Sequence, residues 1–176
     1  LGLPAGAPVW IAGSTHRGEE QLVLDVHARA RAHYPDLVLI MAPRHPERVD
    51  EVERLIAARH VPVVRRSELP KARQDGAVIL LDTVGELAQV YRVADVVFVG
   101  GSLVPSGGHN MLEAALKRKP VLFGPHTANF REAAELLARA GAAMVVSSAA
   151  EMQAALTLLL GDPARRARMG EAGYEA

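Results

Sequence analysis

The chain contains no cysteine, which excludes disulfides, cysteine-ligated zinc and thiol nucleophiles. It carries no net charge, 20 basic side chains balancing 20 acidic ones, and this argues against nucleic acid or an anionic membrane surface as its main partner. No apolar run approaches the roughly 18 residues of a membrane-spanning helix. No signal peptide is visible at Leu1, and a start without methionine reads as a segment excised from a longer protein. Several chemical signatures are missing as well. HExxH and paired carboxylates are absent, so nothing specifies a metal site. GxSxG is absent, which leaves a Ser-His-Asp hydrolase without support. The first loop, GSTHRG, lacks GxGxxG, no acidic residue closes the second predicted strand, and there is no Walker A sequence, so a Rossmann dinucleotide site and a P-loop are both disfavoured.

What is present is the material of one α/β domain. With 176 residues and 49% apolar composition the chain is long enough for a single real core. Short apolar runs at 9–13, 37–41, 61–64, 77–81, 95–100, 120–124 and 142–146 lack an alternating polar face. Runs of that kind predict parallel strands buried on both sides. Helical patterns over 19–33, 47–59, 111–118, 131–140 and 150–160 separate them, and Asp162-Pro163 signals the start of a final helix. This alternation predicts a Rossmann-like, doubly wound parallel sheet. The polar stretch 67–76 reads as a surface loop. No repeat or low-complexity tract is visible.

In an open parallel sheet the ligand sits outside the carboxyl ends of the strands. The loops predicted there are GSTHRGEE (13–20), APRHPER (42–48), DTVGEL (82–87), GGSLVPSGGHNMLE (100–113) and GPHTANF (124–130). They gather His16, Arg44, His45, His109 and His126 on one edge. The glycine-rich loop, opening a predicted helix with Asn110 and Glu113 in its first turn, has the form of an anion site: glycines admit close approach, and the first helical N–H groups lack partners. Ser14 or Thr15, with Glu19 nearby, suits either a helix cap or a ligand contact. Arg44 suits a bidentate anion contact. Asp82 and Glu86 suit helix caps, and His126 with Asn129 suits either a turn or a ligand.

Taken together, GSTHRGEE, APRHPER, GGSLVPSGGHNMLEAA and KPVLFGPHTANF resemble the bacterial 3-deoxy-D-manno-octulosonic acid (Kdo) transferases of lipopolysaccharide synthesis, in their carboxy-terminal half. The resemblance runs from Trp10 to about Gly173. It implies the nucleotide-sugar binding domain of a GT-B glycosyltransferase over 1–176, with an amino-terminal acceptor domain outside this chain. The donor implied is CMP-Kdo and the acceptor a lipid A precursor. The resemblance also implies a catalytic glutamate base on the other domain, no catalytic metal, no cofactor, an inactive isolated fragment, and a location at the cytoplasmic face of the inner membrane through the amino-terminal part. Carried onto this chain, Pro43, Arg44 and His45 match the PRH that meets CMP. Ser14, Thr15 and His16 lie in the loop facing donor sugar and phosphate. Gly107, Gly108, His109 and Asn110 match the GGHN turn, Glu113 the acidic residue that accepts from ribose hydroxyls, and His126 and Asn129 the GPHxxNF loop. Ala114 and Ala115 stand where many members have proline after that glutamate. The final helix is expected to cross to the other domain or, without it, to pack back or fray. Two alternatives stay open: another GT-B donor domain using a UDP- or GDP-sugar, and a non-catalytic α/β interaction module.

Overall fold

The apolar runs become β1 (Val9–Thr15), β2 (Val38–Pro43), β3 (Val63–Arg65), β4 (Val78–Leu80), β5 (Val96–Val99), β6 (Val121–Phe123) and β7 (Ala143–Val145). The computed structural model describes residues 1–69 and 75–176; residues 70–74, the centre of the predicted 67–76 loop, lie outside the described residues. All pairings among the described strands are parallel, in the order β3-β4-β2-β1-β5-β6-β7. Pro62 precedes β3 and delays it: its carbonyl accepts from Val78 N, but it has no N–H to offer.

Both sheet faces are covered, which is why the strands read as continuous apolar runs; every residue of β2 and β5 is buried. Alternate residues go to opposite cores. Trp10, Leu39, Met41, Leu80 and Phe98 pack under α1 (Glu19–Ala30), α2 (Val49–Ala57) and α6 (Ala149–Leu160). Ile11, Ile40, Ile79, Val97 and Phe123 pack under α4 (Leu112–Ala115) and α5 (Arg131–Arg139), with Tyr91 beside the one-turn helix α3 (Leu87–Val90). The final helix, α7 (Pro163–Glu175), starts as predicted, with Asp162 accepting from Arg165 N at 3.0 Å and Pro163 in the first turn. It packs back on this domain: Gly170 lies against the Arg118 carbonyl with no room for a side chain, and the Arg118 guanidinium sits 3.7 Å over the Tyr174 ring.

The helix predicted over 111–118 is much shorter, a single turn at Leu112–Ala115. Arg118 turns left-handed at φ 59°, and Pro120 follows two residues later, so the chain cannot continue as helix. α1 likewise ends at Ala30, short of Pro35.

From β1 the sheet grows through β2 on one side and through β5 on the other. The connections leaving β1 and β5 therefore diverge, and the crevice between them is the topological switch point where a ligand is expected.

Candidate functional site

A buried carboxylate ties the site together. Gly18, at φ 97°, turns the chain into α1 so that Glu19 opens the helix and points back under the glycine-rich loop. Glu19 is wholly buried. Its Oε1 accepts from His16 N at 2.9 Å and Gly101 N at 2.8 Å; its Oε2 accepts from Ser102 N at 3.2 Å and Leu103 N at 3.0 Å. Ionised, a carboxylate is a pure acceptor, which suits four converging donors. The N–H groups of Gly101, Ser102 and Leu103 are thus satisfied from within and are closed to an external anion. Two of the readings open in the sequence are narrowed. Ser14 and Thr15 do not cap α1, whose N-cap is Gly18 with no side-chain bond. The glycine-rich loop also leads into a helix of only one turn, too short for a useful helix dipole.

Other loops are sewn to the same point. Gly100 N donates to Gly13 O at 2.7 Å, and a Cβ at Gly100 would lie 2.5 Å from Ser14 O and 2.8 Å from Thr15 Cα, so this close approach requires glycine. Arg44 N donates to Thr15 O at 2.9 Å, bringing in the loop after β2. Ser102 is buried; its Oγ donates to Val99 O at 2.7 Å and accepts from Gly124 N at 2.8 Å, bringing in the loop after β6. Glu20, also buried, holds Arg48 through two bonds of 2.9 and 3.1 Å and so anchors the turn that follows Arg44 and His45.

Three predicted histidines meet above this platform. His16 Nε2 and His109 Nε2 are 2.6 Å apart, with ring centroids at 4.9 Å and planes within 4° of parallel. His45 meets His16 edge-on at 5.5 Å. The His109 ring runs past Gly101, where a Cβ would come within 2.7 Å of it. Burial lowers the pKa of His16, partly offset by Glu19. Burial first, then the neighbouring His16, Arg44 and His45, push His109 down to about 4. His16 thus meets His109 nitrogen to nitrogen and His45 edge-on, and among the described residues no set of three His, Asp or Glu side chains converges to hold a metal.

Beside them opens a cleft of about 420 Å³ at the switch point. Arg44, His109, Asn110 and Glu113 supply its polar side, while Pro43, Leu81, Leu87 and Phe130 supply an apolar one. Ser14 reaches the rim in a left-handed conformation, φ 55°. Asn110 Oδ1 accepts from Leu112 N at 3.0 Å, which holds the turn before Glu113. Arg44 makes no ion pair among the described residues.

The remaining candidates stand apart from the cleft. Thr15 is wholly buried, its Oγ1 without a partner. Gly107 and Gly108 take φ values of 83° and 78° and turn the loop; Gly107 O accepts from Asn129 N. Gly107 and His126 share a separate depression with Arg131, and Asn129 borders a third groove with Leu112. Asp82 and Glu86 cap nothing: Asp82 accepts from Ser67 N at 3.0 Å, and Glu86 pairs with Arg66 at 3.2 Å. Between those two carboxylates, Thr83 and Val84 border the cleft, and Thr83 Oγ1 is buried without a partner. Thr83 and the role of Glu19 escaped the sequence reading. The only sequence signal for Glu19 was a second acidic residue at a helix start that already had one.

No family model matches the chain. Among curated proteins it is 42% identical over 169 residues to the 3-deoxy-D-manno-octulosonic acid transferase of Haemophilus influenzae, covering 96% of this chain and 40% of that protein. It is 38% identical to the transferase of that name from Bordetella pertussis, over 95% of this chain and 40% of the relative. The chain thus spans well under half the length of these relatives. Among solved structures, the C-terminal CMP-Kdo binding domain of WaaA from Acinetobacter baumannii superposes with a TM-score of 0.91 at 31% identity, covering 97% of this chain and 89% of that one. A glycosyltransferase from Rickettsia africae shares the fold at TM-score 0.68 and 17% identity, over 98% of this chain and 43% of that one. With a switch-point cleft between the PRH and GGHN loops and a near full-length match to a WaaA domain, the chain belongs to the Kdo transferase family, as its carboxy-terminal Rossmann-like GT-B domain.

Proposed function

We propose that this domain binds CMP-Kdo and presents the Kdo group to an acceptor held by a partner domain of the full protein. The observation that carries the reading is the switch-point cleft, where Arg44, His109, Asn110 and Glu113 surround one space. The A. baumannii domain whose fold it shares is itself a CMP-Kdo binding domain. Glu113, as an acceptor, suits the ribose hydroxyls. Arg44 suits the phosphate, since guanidinium binds phosphate oxygens through parallel bonds. Pro43, Leu81 and Leu87 give the base an apolar wall.

In the transfer, a hydroxyl of a lipid A precursor attacks the anomeric carbon of Kdo, the carbon–oxygen bond to phosphate breaks, and configuration inverts. A carboxylate of the acceptor domain takes the hydroxyl proton. Charge then grows on the departing CMP phosphate. Glu19 occupies the amides of Gly101, Ser102 and Leu103, so stabilisation of that charge falls to Arg44, the imidazoles and the turn at His109 and Asn110 that lines the cleft. Membrane attachment and acceptor recognition belong to the remainder of the protein.

Calorimetric titration with CMP, and with UMP and GMP as controls, tests the reading. CMP is expected to bind selectively. Arg44→Ala and Glu113→Ala each remove a charged hydrogen-bonding group worth about 1.5–3 kcal/mol, so each is expected to weaken binding roughly ten- to hundredfold. Equal binding of all three nucleotides, or unchanged affinity in both variants, would overturn it.

A further inference from the structure

We propose that His16 and His109 act as one proton-accepting pair, taking up a single proton when the anionic donor fills the cleft, so that donor affinity falls as pH rises. The inference rests on the donor-binding reading above.

The geometry sets the capacity of the pair. Two imidazole Nε2 atoms 2.6 Å apart form a hydrogen bond only if one carries the proton and the other accepts it. Both rings can then be neutral, one with its proton on Nε2 and the other with its proton on Nδ1. One further proton can be added at the free Nδ1 of the donating ring, giving an imidazolium–imidazole pair of charge +1 with the contact intact. A second added proton would set two N–H groups head-on and break it. The pair therefore holds one extra proton and no more.

The surroundings keep that proton off while the cleft is empty. Arg44, His45 and Arg48 approach from the loop after β2, and burial adds to their effect. The opposing charges come from α1, and both are already engaged. Glu19 spends its two oxygens on four backbone N–H groups. Glu20 is closed in a bidentate bridge to Arg48. The glycine-rich loop contributes no ionisable side chain from Gly100 to Gly108. The cleft thus has cationic and neutral groups in excess and no uncommitted carboxylate facing the pair except Glu113 across the pocket.

A CMP-linked 2-keto sugar acid brings two negative charges, on its phosphodiester and its carboxylate. His109 itself borders the cleft. An anion within about 4–6 Å raises an imidazole pKa by roughly 1–3 units. From about 4 for His109, that carries the pair into the range just below neutrality. Uptake then lies between zero and one proton, and affinity changes by at most about tenfold per pH unit.

The test is calorimetric titration with the methyl ester of CMP, a phosphodiester whose charge stays fixed above about pH 6. Titrations run near pH 6 and near pH 8, each in two buffers of unlike ionisation enthalpy, on the whole chain and on the double variant His16→Gln with His109→Gln. Gln keeps a hydrogen-bonding side chain but does not titrate. Wild type is expected to show buffer-dependent heat near pH 6, equivalent to a fraction of one proton taken up, and several-fold weaker binding near pH 8. The double variant is expected to bind without uptake and with flat pH dependence. Binding by wild type with the same heat in both buffers overturns the proton coupling alone. Uptake that persists in the double variant assigns the proton to another group and also overturns it. No binding at either pH overturns the donor-binding reading, and this inference with it.

Discussion

Replacing Glu19 with glutamine tests whether one carboxylate organises the site. The substitution keeps shape and volume, so packing is preserved. One amide oxygen can still accept from two of the four N–H groups. The other end becomes an NH₂ and confronts two buried donors with a third. Each buried donor left without a partner costs about 1–3 kcal/mol, so the pair costs roughly 2–6 kcal/mol. The two surviving bonds lose the assistance of the charge, which places the expected loss near the middle of that range. Typical domains are stable by about 5–15 kcal/mol, so Glu19→Gln should fold but with a large part of its margin gone. Equilibrium urea unfolding is the assay. Trp10, the sole tryptophan, is fully buried in β1 and supplies the fluorescence signal. Glu19→Asp, which keeps the charge but shortens the reach, should fall between wild type and Glu19→Gln. A Glu19→Gln protein within about 1 kcal/mol of wild type would mean that the loop holds its shape without the carboxylate, and the reasoning would fail.

Three further outcomes follow from the same geometry. His27 is buried, accepts from Trp10 Nε1 at 3.1 Å, and is pushed down to about 3 by burial and then Arg31. The unfolded chain binds this proton near pH 6.5 and the native state only near 3, so stability is intact above 6.5 and declines as pH falls toward 3, by about 1.4 kcal/mol per unit of separation at most; acid titration of Trp10 fluorescence should show this decline, and His27→Gln should flatten it. Ser102→Ala strands the buried Gly124 N–H and should cost about 1–3 kcal/mol in urea unfolding. Gly100→Ala drives a Cβ into the backbone of Ser14 and Thr15 and should destabilise by at least about 1–3 kcal/mol in the same assay, whereas Gly85→Ala, with open space around it, suffers only its φ of 83°.

The sheet was legible because burial on both faces leaves a direct mark on sequence: LVLIM and DVVFV cannot be surface segments. The PRH and GGHN loops were legible as the two walls of a cleft because residues after successive parallel strands share one edge. Other features were not. Glu19 meets Gly101, Ser102 and Leu103 across more than eighty positions, and no local pattern distinguishes it from an ordinary acidic residue in a first helical turn. The helix after the glycine-rich loop was overread because LEAALKR has good helical propensity, and the left-handed turn at Arg118 overrides it. Asp82 and Glu86 looked like caps because type and position fit, but Ser67 and Arg66 on the neighbouring turn claim them. His126 and Asn129 belong to a loop whose Phe130 lines the cleft, while they themselves border other depressions.

The glycine-rich loop has one more property that follows from Glu19. Flexible phosphate loops commonly become ordered on their ligand, and the lost freedom of the main chain is charged against affinity. Here that freedom is lost during folding, when the internal carboxylate gathers His16, Gly101, Ser102 and Leu103. The turn at His109, Asn110 and Glu113 that lines the cleft follows this fixed segment, so on the proposed reading a donor meets a loop whose start is already set. On the proposal made above for His16 and His109, occupancy of the site is registered as a change of charge at its rim.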